Sequence, residues 1–238
     1  RFLEAIPVFV DVHPETWCIS TEAFRKSITP RTRAVLALEL YGSIPEMHRI
    51  RAIAKAREIS VIEDASDALG GEFVGRRVGG LGDLGIFGFD RAEILTSAEG
   101  GMVVTNSADV AAAIQKTILD TSFDHHMSPM QAALGLSQLE RIDALAARKC
   151  AIHERYQRQL QSMTGVRFAL SSPGSKTIPC ETAIAVDDAE HVMEQLSNVG
   201  IECRMLPQPA SSFAIYDALP QGRVARGAAP QRQGCDQS

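Results

Sequence analysis

Two short apolar runs, Ser60 to Ala65 and Leu84 to Phe89, constrain the fold more than any other part of the chain. Each ends in polar or glycine-containing residues, the pattern of buried parallel strands that deliver side chains to a site at their carboxyl ends. The stretch from Val61 to Gly101 holds both runs and puts Asp64 at one such end. Upstream, Ile6 to Val12 has the β-branched and aromatic content of a strand, and His13 to Thr16 reads as a turn. Thr21 is the expected cap of a short helix through Ile28, and Ala34 to Leu40 is the next strand, broken by Tyr41-Gly42-Ser43. Ser43 and Pro45 have the spacing of a cap and first turn, with Met47, Ile50, Ile53 and Ala54 at helical intervals through to Glu58. Strand, helix, strand, helix, strand is the order that builds a parallel sheet with right-handed crossovers.

Beyond the first run, the glycine-punctuated Glu72 to Leu81 reads as a small hairpin. Gly100 to Thr105 is a further strand, and Asn106-Ser107 caps a helix through about Ile118. Ser128-Pro129 opens what reads as one long helix, with Met130, Ala133, Leu136, Leu139, Ile142, Ala146, Ile152, Tyr156 and Leu160 on one face. Val166 to Leu170, Thr182 to Val186, a helix over Asp188 to Asn198, and Ile201 to Met205 follow as a small α+β unit. From Gln221 the chain is rich in Gly, Gln, Arg and Ala without apolar period, which predicts poor order. The expected organisation is a large α/β domain over residues 1–127, a bridging helix over 128–160, a small α+β domain over 161–220 and a tail over 221–238.

The 45% apolar and 22% charged composition is that of a soluble globular protein, and a length of 238 residues allows one large domain with or without a small one. A formal charge of −5 with no long basic run argues against nucleic acid as a partner. No 18-residue apolar run is present, so no membrane span is expected. The five cysteines are scattered without Cys-x-x-Cys spacing, which reads as reduced thiols in the cytoplasm. The chain opens Arg-Phe-Leu-Glu, without a methionine, like a piece of something longer.

Several ordered pieces resemble the DegT-like sugar-aminotransferase branch of the fold-type I pyridoxal-phosphate enzymes. They are Pro7 to Val12, Ile28-Thr29-Pro30-Arg31-Thr32, Glu63-Asp64-Ala65-Ser66-Asp67-Ala68-Leu69-Gly70-Gly71, Thr96 to Thr105, and Gln131 to Leu139. The resemblance implies a three-layer large domain with a mostly parallel sheet, incomplete at its N-terminus, plus a small α+β domain. It further implies pyridoxal phosphate as cofactor and a nucleotide-linked keto-sugar as substrate.

By the same resemblance Asp64 faces the pyridine nitrogen, where a carboxylate keeps the ring protonated. Asp67 stands where Gln or His flanks the ring, and Gly88 where a serine binds the phosphate. Aligned on Thr96, Glu99, Gly100 and Gly101, the lysine that holds the cofactor as an imine falls at Glu93. A glutamate cannot form an imine. The loop reaching into a partner subunit's site aligns with Asp124-His125-His126-Met127-Ser128, turning an amide into Asp124 and an arginine into His126. Asp64, Asp67, Glu93, Asp124, His125 and His126 contain no pair at helical i, i+4 spacing, so no metal site is expected from them. Three readings stay open: a sugar aminotransferase, impaired by loss of its lysine; a non-catalytic homodimer or heterodimer subunit completing an active homologue's site; and a truncated, decaying copy.

Overall fold

The computed structural model describes residues 5–120 and 126–213. The expected tail from Gln221 lies outside these residues.

Residues 6–12 are extended rather than a strand; their one bridge is antiparallel, Val12 to Ile19. A β-branched sequence forms a strand only beside a neighbour with free backbone groups, and here Ile6 and Val8 are exposed. The first helix, α1 (Thr21–Ser27), is capped one residue earlier than expected, Ser20 Oγ accepting from Ala23 N at 3.2 Å. Strand β1 (Ala34–Leu38) ends at a 3-10 turn over Leu40–Gly42. Helix α2 (Met47–Lys55) begins later than Ser43, because the chain stays extended there to bury Ile44 and Pro45 in the core.

Strand β2 (Ser60–Asp64) leads to a 3-10 turn over Ser66–Ala68 and the hairpin β3 (Glu72–Phe73) and β4 (Arg76–Arg77). Strands β5 (Leu84–Gly88) and β6 (Gly101–Val104) complete a four-stranded sheet of order β1-β2-β5-β6. The first three are parallel, with Val35 opposite Val61 and Ile62 opposite Leu84, and β6 runs antiparallel to β5. Helices α1 and α2 cover one face. Phe24 of α1 and Met47, Ile50 and Ala54 of α2, at the three- and four-residue spacing of a helix stripe, pack on Val35, Ala37 and Val61. Each fully buried aliphatic such as Ile44 or Ile50 contributes about 1.5–3 kcal/mol. The opposite face is open at β1, where Leu36 is 49% and Leu38 is 39% exposed. Register puts these leucines beside Ile62 and Asp64, so Asp64 lies on the open face at the carboxyl end of the sheet.

Helix α3 (Ala108–Asp120) is capped by Ser107, whose Oγ accepts from Val110 N. The single long helix expected from Ser128 is two: α4 (Pro129–Leu139) and α5 (Ile142–Leu160), with Arg141 at φ −116, ψ 13 between them. Two packing demands compete at the break. The Gln138 side chain is held on the backbone of Thr96, while α5 turns so that Ala146 reaches Ile94, Ile178 and Cys180. At the start of α4, Ser128 Oγ accepts from Gln131 N and Gln131 Oε1 accepts from Ser128 N, a capping box. Ser128→Ala is expected to cost about 1 kcal/mol, read as a lowered urea midpoint.

Three two-residue strands follow, β7 (Val166–Arg167), β8 (Ser175–Lys176) and β9 (Ala185–Val186). β7 pairs with β9, and β8 adds to β3 as a third strand that no pattern in the sequence marks. Ser172 Oγ donates to the carbonyl of Ile44 at 2.6 Å, fastening this region to the core. Helix α6 (Ala189–Asn198) matches the expected helix over Asp188 to Asn198, with Asp188 as its cap rather than its first residue. Ile201 to Met205 is not a strand, for the chain reverses at Gly200 (φ +77), Ile201 N returns to Leu196 O, and the next residues are exposed. No helix among the described residues is long and apolar enough to cross a membrane.

Candidate functional site

The carboxyl ends of β2 and β5 and the turns after them gather four of the residues singled out from sequence. Asp64 Oδ1 accepts from Ser66 Oγ at 2.7 Å and from Ser66 N at 3.3 Å. Ser66 Oγ in turn accepts from Gly88 N at 2.8 Å, tying the ends of the two strands together. A Cβ at Gly88 would sit 3.3 Å from Ser66 Oγ, tight enough to press on that hydroxyl, and 3.9 Å from Glu93 Oε1, an ordinary contact. The hydroxyl at this corner is therefore that of Ser66, which sequence reading passed over although it lies inside the matching motif. Asp67 Oδ2 accepts from Tyr41 N at 2.9 Å, and Tyr41 takes φ 54 to present that amide.

Glu93 follows β5 on a turn in which its N–H donates to Asp90 O at 3.2 Å. Its carboxylate enters the same corner, and Oε2 is buried without a hydrogen-bond partner. One ligand atom each of Asp67, Glu93 and Cys180 lies within 4.8 Å of the others. Burial first, then the charges of Asp67, Asp64, Asp90 and Glu181, pushes the Glu93 carboxyl up to about 7. The Cys180 thiol is raised well above its usual range by burial, then by Asp67, Glu93 and Glu181. Cys180 is 3% exposed and no sequence signal pointed to it, since it arrives from the segment between β8 and β9.

Two cations approach from outside the corner. Lys149 Nζ donates to the Cys180 carbonyl at 2.6 Å, and Arg204 pairs with Glu181 at 2.5 Å. His126 is exposed just before α4. Asp124 and His125 lie outside the described residues.

Behind the site a second acid pair is fully buried. Glu63 accepts from Gly79 N at 2.8 Å and from Gly82 N, whereas neither oxygen of Glu39 receives a donor. Burial first, then Glu63, pushes the Glu39 carboxyl up to about 9.

A half-buried corner with three carboxylates and a protonated thiol suits a cationic group. Asp67, Glu93 and Cys180 offer three donors to a metal ion, a proximity that chain spacing did not reveal; the thiol, held protonated, is the weak member of that set. Toward pyridoxal phosphate the fit is partial. Asp64, steadied by Ser66, suits a protonated ring nitrogen, but the orphaned Glu93 Oε2 occupies the corner without an amine to bind an aldehyde. These residues fit the cofactor held without a covalent bond.

The model of the DegT/DnrJ/EryC1/StrS aminotransferase family matches residues 1–229. GDP-perosamine synthase of Escherichia coli O157:H7 is 30% identical over 240 residues, 91% of this chain and 63% of that protein. The enzyme of the same name from Caulobacter vibrioides is 39% identical over 158 residues, 61% of this chain and 43% of that one. The chain thus spans less than two thirds of these curated relatives. Among solved structures, DesI in the presence of its TDP-sugar product shares 27% identity at a TM-score of 0.83, covering 94% of this chain and 62% of that one. The aminotransferase TlmJ from Streptoalloteichus hindustanus, at 24% identity and a TM-score of 0.84, covers 92% of this chain and 64% of that one and shares its fold.

Proposed function

Because the chain belongs to the DegT/DnrJ/EryC1/StrS aminotransferase family, we propose that it serves pyridoxal-phosphate-dependent amino transfer onto a nucleotide-linked keto-sugar, with its own turnover impaired by Glu93. The observation that carries this reading is the meeting of Asp64, Asp67 and Glu93 at the carboxyl ends of β2 and β5, where an open α/β sheet binds ligands. The names of two relatives, GDP-perosamine synthase and L-glutamine:2-deoxy-scyllo-inosose aminotransferase, favour an amino-sugar or aminocyclitol product.

When bound, the cofactor supplies an electron sink and carries the amino group between donor and acceptor. Asp64 would hold a proton on the ring nitrogen of the bound group, and Ser66 Oγ fixes the carboxylate for that task. Asp67, pinned by Tyr41 N, lines the flank. Glu93 takes up or releases a proton near neutral pH but cannot anchor the cofactor as an amine would.

A second subunit is favoured by α4, where Met130 is 82% and Leu136 58% exposed although both are apolar. We place a second copy of this chain there, a homodimer in which loops from one subunit reach the other's site; sedimentation at a monomer mass would remove that part. Four free cysteines among the described residues suit a reducing compartment such as the cytoplasm.

The test is the visible absorption of the purified chain with added pyridoxal phosphate. The native chain is expected to show no borohydride-sensitive band at this site, and Glu93→Lys to gain one mapped to position 93. A substituted chain that folds yet shows no such band would mean that Asp64, Ser66 and Asp67 do not hold the cofactor, and the reading falls.

A further inference from the structure

We infer that this site selects the amine form of its cofactor, pyridoxamine phosphate, over the aldehyde form, with the Glu93 carboxylate as the selecting group and Asp67 beside it. The inference rests on the reading above that the site holds this cofactor. Its starting point is an unmet need: Glu93 Oε2 is buried and receives no donor, so one acceptor in this corner waits for an N–H. The two cofactor forms differ at one exocyclic group. The amine is an ammonium with three donors and a positive charge, whereas the aldehyde oxygen is an acceptor only.

An aldehyde set against Glu93 and Asp67 would bring acceptors together and leave Glu93 Oε2 unsatisfied. An ammonium would satisfy the orphaned oxygen and offset the surrounding charge with charge-assisted hydrogen bonds. The groups facing Glu93 come from every side: Asp64 from β2, Asp67 from the turn after it, Asp90 from its own turn, and Cys180 and Glu181 from the segment after β8. None of these is a cation, and two cations that approach from outside are engaged elsewhere, Lys149 on the Cys180 carbonyl and Arg204 on Glu181. A lysine would recover affinity for the aldehyde by a covalent bond, and a carboxylate at position 93 cannot. A bound ammonium also draws the Glu93 proton off, so selection strengthens as pH rises past about 7.

Calorimetric titration of the full chain with pyridoxamine phosphate and, separately, pyridoxal phosphate tests this, taken one pH unit above and one below about 7. At the higher pH the amine form is expected to bind at least about tenfold tighter, and the gap to narrow at the lower pH. Glu93→Gln, which keeps the shape and removes the charge, is expected to shrink the preference to about threefold or less at both values. Equal or tighter binding of pyridoxal phosphate by the native chain overturns the inference. So does a preference that survives Glu93→Gln unchanged. Binding of neither form to the native chain would instead remove the cofactor reading itself, and the comparison within the native chain does not depend on any variant folding.

Discussion

Glu39→Gln is expected to flatten the pH dependence of stability and to make the protein more stable than the native chain above neutral pH. Glu39 ends β1 with 1% exposure, facing Glu63 across the strands with Asp64 and Cys18 nearby. As a carboxylate it would leave both oxygens charged and without a donor; as an acid it sets no second charge against Glu63, whose own is held by the Gly79 and Gly82 amides. The proton therefore resides on Glu39, and its carboxyl is raised from 4.5 to about 9, by burial first and the Glu63 charge second. A raised acid makes its full contribution below the unfolded value and loses it as pH climbs to the folded one. Stability should then fall between about 4.5 and about 9 and level off above. At up to about 1.4 kcal/mol per pH unit the loss amounts to several kcal/mol, a large part of the roughly 5–15 kcal/mol a domain has. The amide that replaces the carboxyl keeps its shape and never takes a charge. Urea unfolding of both proteins at mildly acidic and at alkaline pH checks this, and parallel curves would show that Glu39 does not carry the proton.

Gly85→Ala should be the most damaging single-methyl change in the sheet. A Cβ on Gly85 would lie 2.4 Å from both the Cα and the carbonyl oxygen of Gly79, which are backbone atoms that no rotamer change can move aside. Gly79 cannot retreat, since it sits at φ +79 with the Phe87 ring over it and its amide committed to Glu63. Strand β5 would have to shift, parting from β2 and displacing Gly88 and Ser66 at the site. The expected cost is on the order of 3 kcal/mol or more, enough to lower yield and cooperativity. Gly75→Ala is the comparison: its φ is +73, unlike that of Gly85, but with nothing within 4 Å of the new methyl it should cost only about 1 kcal/mol. Similar urea midpoints for the two variants would show that the close approach of Gly85 to Gly79 carries no weight.

The parallel strands β1, β2 and β5, the helix starts at Ser107 and Ser128, and the hairpin at Glu72 to Arg77 were legible because each is set by neighbours in sequence. Side-chain period and cap chemistry act over a few residues, so a linear reading sees them. That Asp64, Asp67, Gly88 and Glu93 come to one corner follows from their places at or just after the ends of β2 and β5. Failures came where a partner decides. Ile6 to Val12 and Ile201 to Met205 have strand composition without a strand to pair with, and the helix from Ser128 breaks at Arg141 because Thr96 and the Cys180 cluster draw its two halves apart.

By itself, then, the sequence determined that the chain is an α/β protein of this family and that position 93 carries a carboxylate. Only the tertiary structure decided what that carboxylate meets. It brings Cys180 from a distant part of the chain to within 4.8 Å of Glu93, turns Ser66 into the hydroxyl at the Gly88 corner, and leaves Glu93 Oε2 and both oxygens of Glu39 without donors. Those facts depend on burial and on charges converging from separate elements, and electrostatic energy in a half-buried corner is set by distance through space rather than by separation along the chain.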